Sequence, residues 1–147
     1  MRFIRKKISL LFLLTCLISS AQEKVIIFSI NDIHSRIENF SKIKPLIDNE
    51  RGKGNKVFFV SAGDIFSGNP IVDNYSEKGF PIIDLLNRTG LDISVIGNHE
   101  FDYGQNVLSD RISQANFPFV CANFSGGEGE LRNVKGVEII QKDGFSI

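Results

Sequence analysis

Three times in succession the chain passes from a short apolar run to a tight polar cluster, and then into a segment with helical spacing. Val25-Ile26-Ile27-Phe28-Ser29-Ile30 leads into Asn31-Asp32-Ile33-His34. Lys56-Val57-Phe58-Phe59-Val60-Ser61 leads into Gly63-Asp64-Ile65-Phe66-Ser67-Gly68. Asp92-Ile93-Ser94-Val95-Ile96 leads into Gly97-Asn98-His99-Glu100-Phe101-Asp102-Tyr103-Gly104. Short apolar runs without polar alternation read as strands buried on both faces. The segments between them read as helices. Apolar residues recur at Ile37, Phe40, Ile43 and Ile47 within residues 36–50. A second helix is predicted over residues 79–88, with Pro81 near its start and Gly90 to stop it, and a third over residues 104–114. Phe117 to Ala122 makes a fourth strand. Strands alternating with helices argue for an α/β fold with a mostly parallel sheet and flanking helices.

Beyond this core, residues 124–133 are rich in Gly and Glu and read as an exposed turn. Val137 to Lys142 reads as one more strand, followed by an Asp143-Gly144 turn and the start of another element at Phe145-Ser146-Ile147.

The 147 residues suffice for one modest domain. Seventeen basic and 17 acidic side chains cancel, and beyond the first few residues the basic ones form no patch, which argues against a nucleic-acid partner. Of the two cysteines, Cys16 lies near the N-terminus and Cys121 stands alone in the body, where it reads as a small buried hydrophobe.

Residues 1–21 have the order of an export signal. Arg2, Arg5, Lys6 and Lys7 precede an apolar stretch from Ile8 to Ile18, and Ser19-Ser20-Ala21 supplies small residues for cleavage. The stretch is shorter than the roughly 20 apolar residues a membrane span needs. Leu13-Leu14-Thr15-Cys16 loosely resembles a lipoprotein box, which would attach the protein to a membrane through Cys16. Thr before the Cys fits that box poorly, and a cut after Ala21 fits better. The expectation is therefore an exported, periplasmic or secreted protein, with residues 22–147 forming the folded part.

In open α/β sheets, ligands bind outside the C-terminal ends of the strands. Three polar clusters aimed at that edge need a common explanation, and a pair of divalent ions supplies one. Asp32 and His34 can face one ion as the chain leaves its strand. Asp64 has two oxygens and can bridge two ions, and Asn98 offers a neutral amide oxygen to the second. Oxygen and nitrogen donors without thiolate suit Zn²⁺, Mn²⁺, Co²⁺ or Fe. Asp102 lies three residues after His99, a spacing that lets its carboxylate hydrogen-bond the imidazole, raise its pKa and favour the cation.

Asn31-Asp32-Ile33-His34, Gly63-Asp64 and the run Gly97 to Gly104 resemble the first three motifs of the calcineurin-like metallophosphoesterases. Gly-Asn-His-Glu-Phe-Asp-Tyr-Gly is similar to the 5′-nucleotidase and UDP-sugar hydrolase branch in particular. The resemblance covers residues 25 to about 123, and its third motif is the specific one. It implies a partial metallophosphoesterase sandwich that hydrolyses phosphate esters, nucleotides foremost. It also implies a two-metal site in which Asp32 and His34 bind one ion, Asp64 bridges and Asn98 binds the other. His99 and Asp102 would form the catalytic dyad, and the attacking group would be a metal-bound hydroxide.

The chain also departs from that pattern. Ser29-Ile30 stand where the branch usually has His-Thr. His34 and His99 are the only histidines, so the downstream ligands the family uses are absent from the sequence. The expectation is an N-terminal part of the domain, whose site would need a C-terminal half to be complete and whose sheet would leave an apolar edge or face exposed. Two other readings stand beside a nucleotidase: an inactive remnant that binds metal or phosphate weakly, and a two-metal hydrolase of cyclic nucleotides or UDP-sugars. Taken singly, the motif residues have plainer readings. Gly63-Asp64 is a turn, Asn98 and Asp102 are helix caps, His99 is a loop histidine, and Glu100 is structural or solvated. Phe101 and Tyr103 are packing residues, and Asn123 is a turn residue.

Overall fold

A computed structural model describes residues 24–127 and 129–147. The expected export signal at residues 1–21, with Cys16, lies outside the described residues. Four strands form one parallel sheet: β1 (Val25–Ile30), β2 (Lys56–Ser61), β3 (Ile93–Val95) and β4 (Phe119–Val120). Their spatial order is β1-β2-β3-β4, the same as their order in sequence. Between them run α1 (Phe40–Gly52), the short α2 (Pro70–Asp73) and α3 (Phe80–Thr89), and α4 (Gln105–Gln114).

That order decides where the helices go. Parallel crossovers are right-handed, so a chain that always steps to the next strand in the same direction lays every helix on the same face. The core follows suit. Phe40 and Ile47 of α1, Ile82, Ile83 and Leu86 of α3, and Leu108 of α4 pack in one cluster with Val57, Phe59 and Phe119 of the sheet. Ile26, Phe28 and Ile30 of β1 pack against the same cluster.

The other face is open, as the expectation of an exposed apolar face has it, although the strand runs alone read as buried on both sides. In the parallel register Ile27 lies beside Phe58, and its face carries Val25, Ile27 and Val95, which are 39%, 56% and 40% exposed. Phe58 is the exception and is fully buried. The ammonium of Lys142 lies 6.0 Å from its ring centre and also pairs with Asp92 at 2.8 Å. Lys142 belongs to an antiparallel hairpin of β5 (Gln141–Lys142) and β6 (Phe145–Ser146), turned through Asp143 and Gly144, both at left-handed φ. The strand predicted over residues 137–142 is thus reduced to its last two residues, and Val137 and Ile139 are exposed.

Two other sequence expectations are corrected. Residues 124–133 are not simply an exposed turn. A 3-10 turn at Gly129–Asn133 buries Leu131, and the amide of Glu130 donates to the Ser109 hydroxyl on α4. The short helix α2 was not foreseen. It follows an Asn69 cap that accepts from the Ile71 amide and has Pro70 at its first position, a combination that starts a helix without an apolar repeat. Cys121 is buried and free. Among the described residues no helix is long and apolar enough to cross a membrane.

Candidate active site

The β1–β2 ladder does not stop where the strands end. The Ala62 amide bonds the Ile30 carbonyl, and the Asp32, His34 and Ser35 amides donate in turn to the carbonyls of Gly63, Asp64 and Ile65. Ser35, fully buried, adds a hydroxyl bond to Ile65. Loop 1 (residues 31–36) and loop 2 (residues 62–69) therefore leave the sheet as a joined pair. Loop 3 (residues 96–104) is pressed against loop 2. A Cβ on Gly63 would lie 3.0 Å from the Gly97 amide nitrogen, and one on Gly97 would collide with the Asp64 carboxylate. Glycine at both positions is what permits this approach.

The structure brings the sequence-predicted residues to this one edge. Asp32 is exposed, and its carboxylate takes a short hydrogen bond from the Asn31 side chain. The His34 ring stands edge-on to that of His99, with centres 4.5 Å apart. Asp64 turns one carboxylate oxygen toward loop 3, where it accepts from the His99 amide at 3.0 Å. Asn98 is exposed beside a cleft of about 430 Å³ lined by Ile96, Gly97, Phe101, Cys121, Asn123 and Phe124. Asn123, read from sequence as a turn residue, thus shares this cleft with Asn98.

His99 and Asp102 form the predicted pair, with Nδ1 2.8 Å from the Asp102 carboxylate. That hydrogen bond raises the imidazole pKa above its ordinary value, and the nearby Asp64 and Glu100 charges act in the same direction. The Ser67 hydroxyl donates to the same Asp102 oxygen at 2.5 Å. This bond, more than the one to His99, holds the Asp102 carboxyl below its ordinary pKa. Sequence reading had no role for Ser67, because a serine in a Gly-rich loop carries no signal of its target.

Glu100 takes the structural one of its two expected readings and Tyr103 its packing one, and each does more besides. Glu100 is neither solvated nor idle: it is fully buried and accepts three backbone hydrogen bonds, from Asp64, Ile65 and Gly97. Burial pushes its pKa up against the opposing pull of those donors. Tyr103 packs its ring on Phe66, as expected, but its hydroxyl also donates to Asp73, whose other oxygen accepts from the Gly68 amide. Burial foremost, and then Asp73, raises the phenol pKa.

The donors fit a divalent centre in type. They are carboxylate, imidazole and amide, on three adjoining loops, and Gly97 leaves the space that the Asp64 carboxylate fills. Asp32, His34 and Asp64 all hold left-handed φ angles of 48°, 44° and 52°, a conformation disfavoured for such residues and concentrated at functional sites. Among the described residues no three His, Cys, Asp or Glu side chains close into a ready-made cluster. The donors are spread over the edge and include the neutral Asn98.

Comparison with known proteins agrees with the sequence resemblance. The profile of the calcineurin-like phosphoesterases matches residues 26–143. A 2′,3′-cyclic-nucleotide 2′-phosphodiesterase/3′-nucleotidase of Haemophilus influenzae is 39% identical over 90 residues, 57% of this chain and 14% of the relative. A 5′-nucleotidase of Vibrio vulnificus is 30% identical over 135 residues, 84% of this chain and 24% of the relative. Among solved structures, the Haemophilus influenzae NAD nucleotidase is similar with a TM-score of 0.69 at 25% identity, covering 82% of this chain and 27% of that one. A calcineurin-like phosphoesterase of Bacillus subtilis is similar with a TM-score of 0.60 at 27% identity, covering 82% and 44%. The chain spans less than a quarter of the length of these two curated relatives. The matched span takes in all four strands and all three loops of the edge, and on that ground the chain belongs to the calcineurin-like phosphoesterase family.

Proposed function

We propose that this chain carries the Asp32, His34, Asp64, Asn98, His99 and Asp102 part of a metal-dependent hydrolase of nucleotide phosphate esters. The observation that carries the reading is the joining of three polar loops at one sheet edge, with an imidazole–carboxylate pair beside the Asp64 carboxylate. Relatives named as 5′-nucleotidase and as cyclic-nucleotide phosphodiesterase support nucleotides as the substrate class.

In this reading Asp32, His34, Asp64 and Asn98 would hold the divalent ions, with Asp64 placed between the loops of the others. Ions so held would supply Lewis-acid polarisation of the phosphate oxygens. The rest falls to the protein. Asp102 accepts from Nδ1–H of His99, which fixes the tautomer and leaves Nε2 as the free ring position. The raised pKa keeps a proton available on that imidazole, and Nε2–H can pass it to the departing ester oxygen. Ser67 donates to the same Asp102 oxygen as His99, so the pair keeps one orientation. The reading includes export from the cytoplasm, which rests on the leader at residues 1–21.

The test is Mn²⁺ titration of the chain by calorimetry, followed by phosphate release from 5′-AMP and from 2′,3′-cyclic AMP. The expected result is Mn²⁺ uptake that Asp64→Ala abolishes, with the preferred ester naming the substrate. Wild-type chain that takes up no Mn²⁺, or takes it up equally with Ala at position 64, would overturn the reading.

A further inference from the structure

Among the described residues Glu100 is the only acidic side chain that is fully buried. Burying a carboxylate is expensive unless its oxygens are satisfied. The oxygens of Glu100 are satisfied by backbone amides instead of a cation. One oxygen takes the Asp64 amide at 3.1 Å and the Gly97 amide at 2.5 Å, and the other takes the Ile65 amide at 2.7 Å.

The identity of those amides matters more than their number. Asp64 and Ile65 lie on loop 2, and their amides flank the Asp64 α-carbon. Gly97 lies on loop 3, immediately before Asn98. One side chain therefore pins the backbone of Asp64 and the backbone entering Asn98, two of the residues proposed to hold the ions. The arrangement is reciprocal. Glu100, on loop 3, holds the backbone of Asp64, and the Asp64 side chain holds the His99 backbone at 3.0 Å. Gly97 lacks a Cβ where one would strike the Asp64 carboxylate, so loop 3 can lie directly against loop 2.

We infer that Glu100 is a positioning residue: it sets the placement of loop 3 against loop 2, and so of Asn98 against Asp64, before any ion arrives. The inference rests on the proposed metal centre. Residues that hold ligands in place from behind commonly change metal affinity by about 10–100-fold when altered. Glu100→Gln keeps the volume but replaces one acceptor oxygen with an NH₂ group, which faces at least one of the three amides donor to donor.

The experiment measures Mn²⁺ affinity by calorimetry for the wild type, Glu100→Gln and Leu86→Ala, with amide hydrogen exchange on the metal-free wild type. Leu86 is fully buried on α3, bonded through its carbonyl to the Gly90 turn at the opposite edge of the sheet, and controls for lost stability alone. The expected result is a 10–100-fold loss of affinity in Glu100→Gln, wild-type affinity in Leu86→Ala, and slow exchange at Asp64, Ile65 and Gly97 in the metal-free wild type. Equal affinity in wild type and Glu100→Gln overturns the positioning role, as does an equal loss in Leu86→Ala. If Glu100→Gln does not fold, fast exchange at the three wild-type amides overturns it and slow exchange supports it. A wild-type chain that binds no Mn²⁺ instead overturns the metal centre on which the inference rests.

Discussion

The two edges of the sheet solve the same problem in opposite ways. At both, the chain must reverse between a strand and a helix, and at both some residues take left-handed φ. At the edge where helices hand over to strands, those residues are Gly54 and Gly90, for which the conformation is free. At the edge where strands end, they include Asp32, His34, Ser35, Asp64 and Ser67. A side chain in that conformation is disfavoured by roughly 1–2 kcal/mol. One edge is built for turning alone. The other accepts strain in order to present carboxylate, imidazole and hydroxyl groups where glycine would have been easier.

The contrast is open to direct attack. Asp64→Gly should abolish Mn²⁺ uptake while leaving stability within about 1 kcal/mol of wild type. Relief of the left-handed strain and loss of one hydrogen bond to the His99 amide are of similar size and opposite sign. Calorimetry and urea denaturation together check it. Gly90→Ala should do the reverse. With φ at 77° and Arg51 packed against the site of the new Cβ, it should lower stability by about 1–2 kcal/mol and leave Mn²⁺ affinity unchanged. A loss of affinity there would break the comparison.

Ser67→Gly sharpens it on a smaller scale. The change relieves a φ of 60° but frees Asp102 from the Ser67 hydroxyl. Stability should move by less than about 1 kcal/mol, and where phosphate release is measurable its rate should fall with KM little changed.

The smallest effect is a titration. In the metal-free chain the His99 ring should titrate above the ordinary histidine value of about 6.5, and Asp102→Asn should bring it down, as followed by NMR of the ring protons. The sign follows from both shifts: His99's contribution to folding fades as pH rises through its raised folded-state pKa, and Asp102's is lost as pH falls through its lowered one.

Much of this was legible before any coordinates. The ends of β1 and β2, the Gly90 stop, the Asp143-Gly144 turn and the His99–Asp102 contact all follow from local rules that act within a few residues. The open sheet face was expected from the family resemblance alone, because the run from Val25 to Ile30 looks the same whether one side or both are covered. Coverage depends on the order of strands, which apolar spacing does not encode. Leu131 was hidden in a Gly-rich stretch for the same reason, since its partner α4 is distant in sequence. Glu100 was only half legible, read as structural or solvated. Its composition class says solvent, and only the meeting of loop 2 with loop 3 reveals three amides waiting for an acceptor. Ser67 and Asp73 were missed likewise, as their partners Asp102 and Tyr103 lie on another loop.

Because each strand pairs with the one just before it in the chain, every piece of the edge comes from consecutive β–α units. Each pairing closes a loop of about thirty residues, and such closures add little entropy cost over shorter ones. During synthesis the loops would therefore meet in the order they emerge, loop 1 with loop 2 and then loop 3. The last of the three brings Glu100, so locking the edge coincides with the arrival of the segment that carries His99 and Asp102.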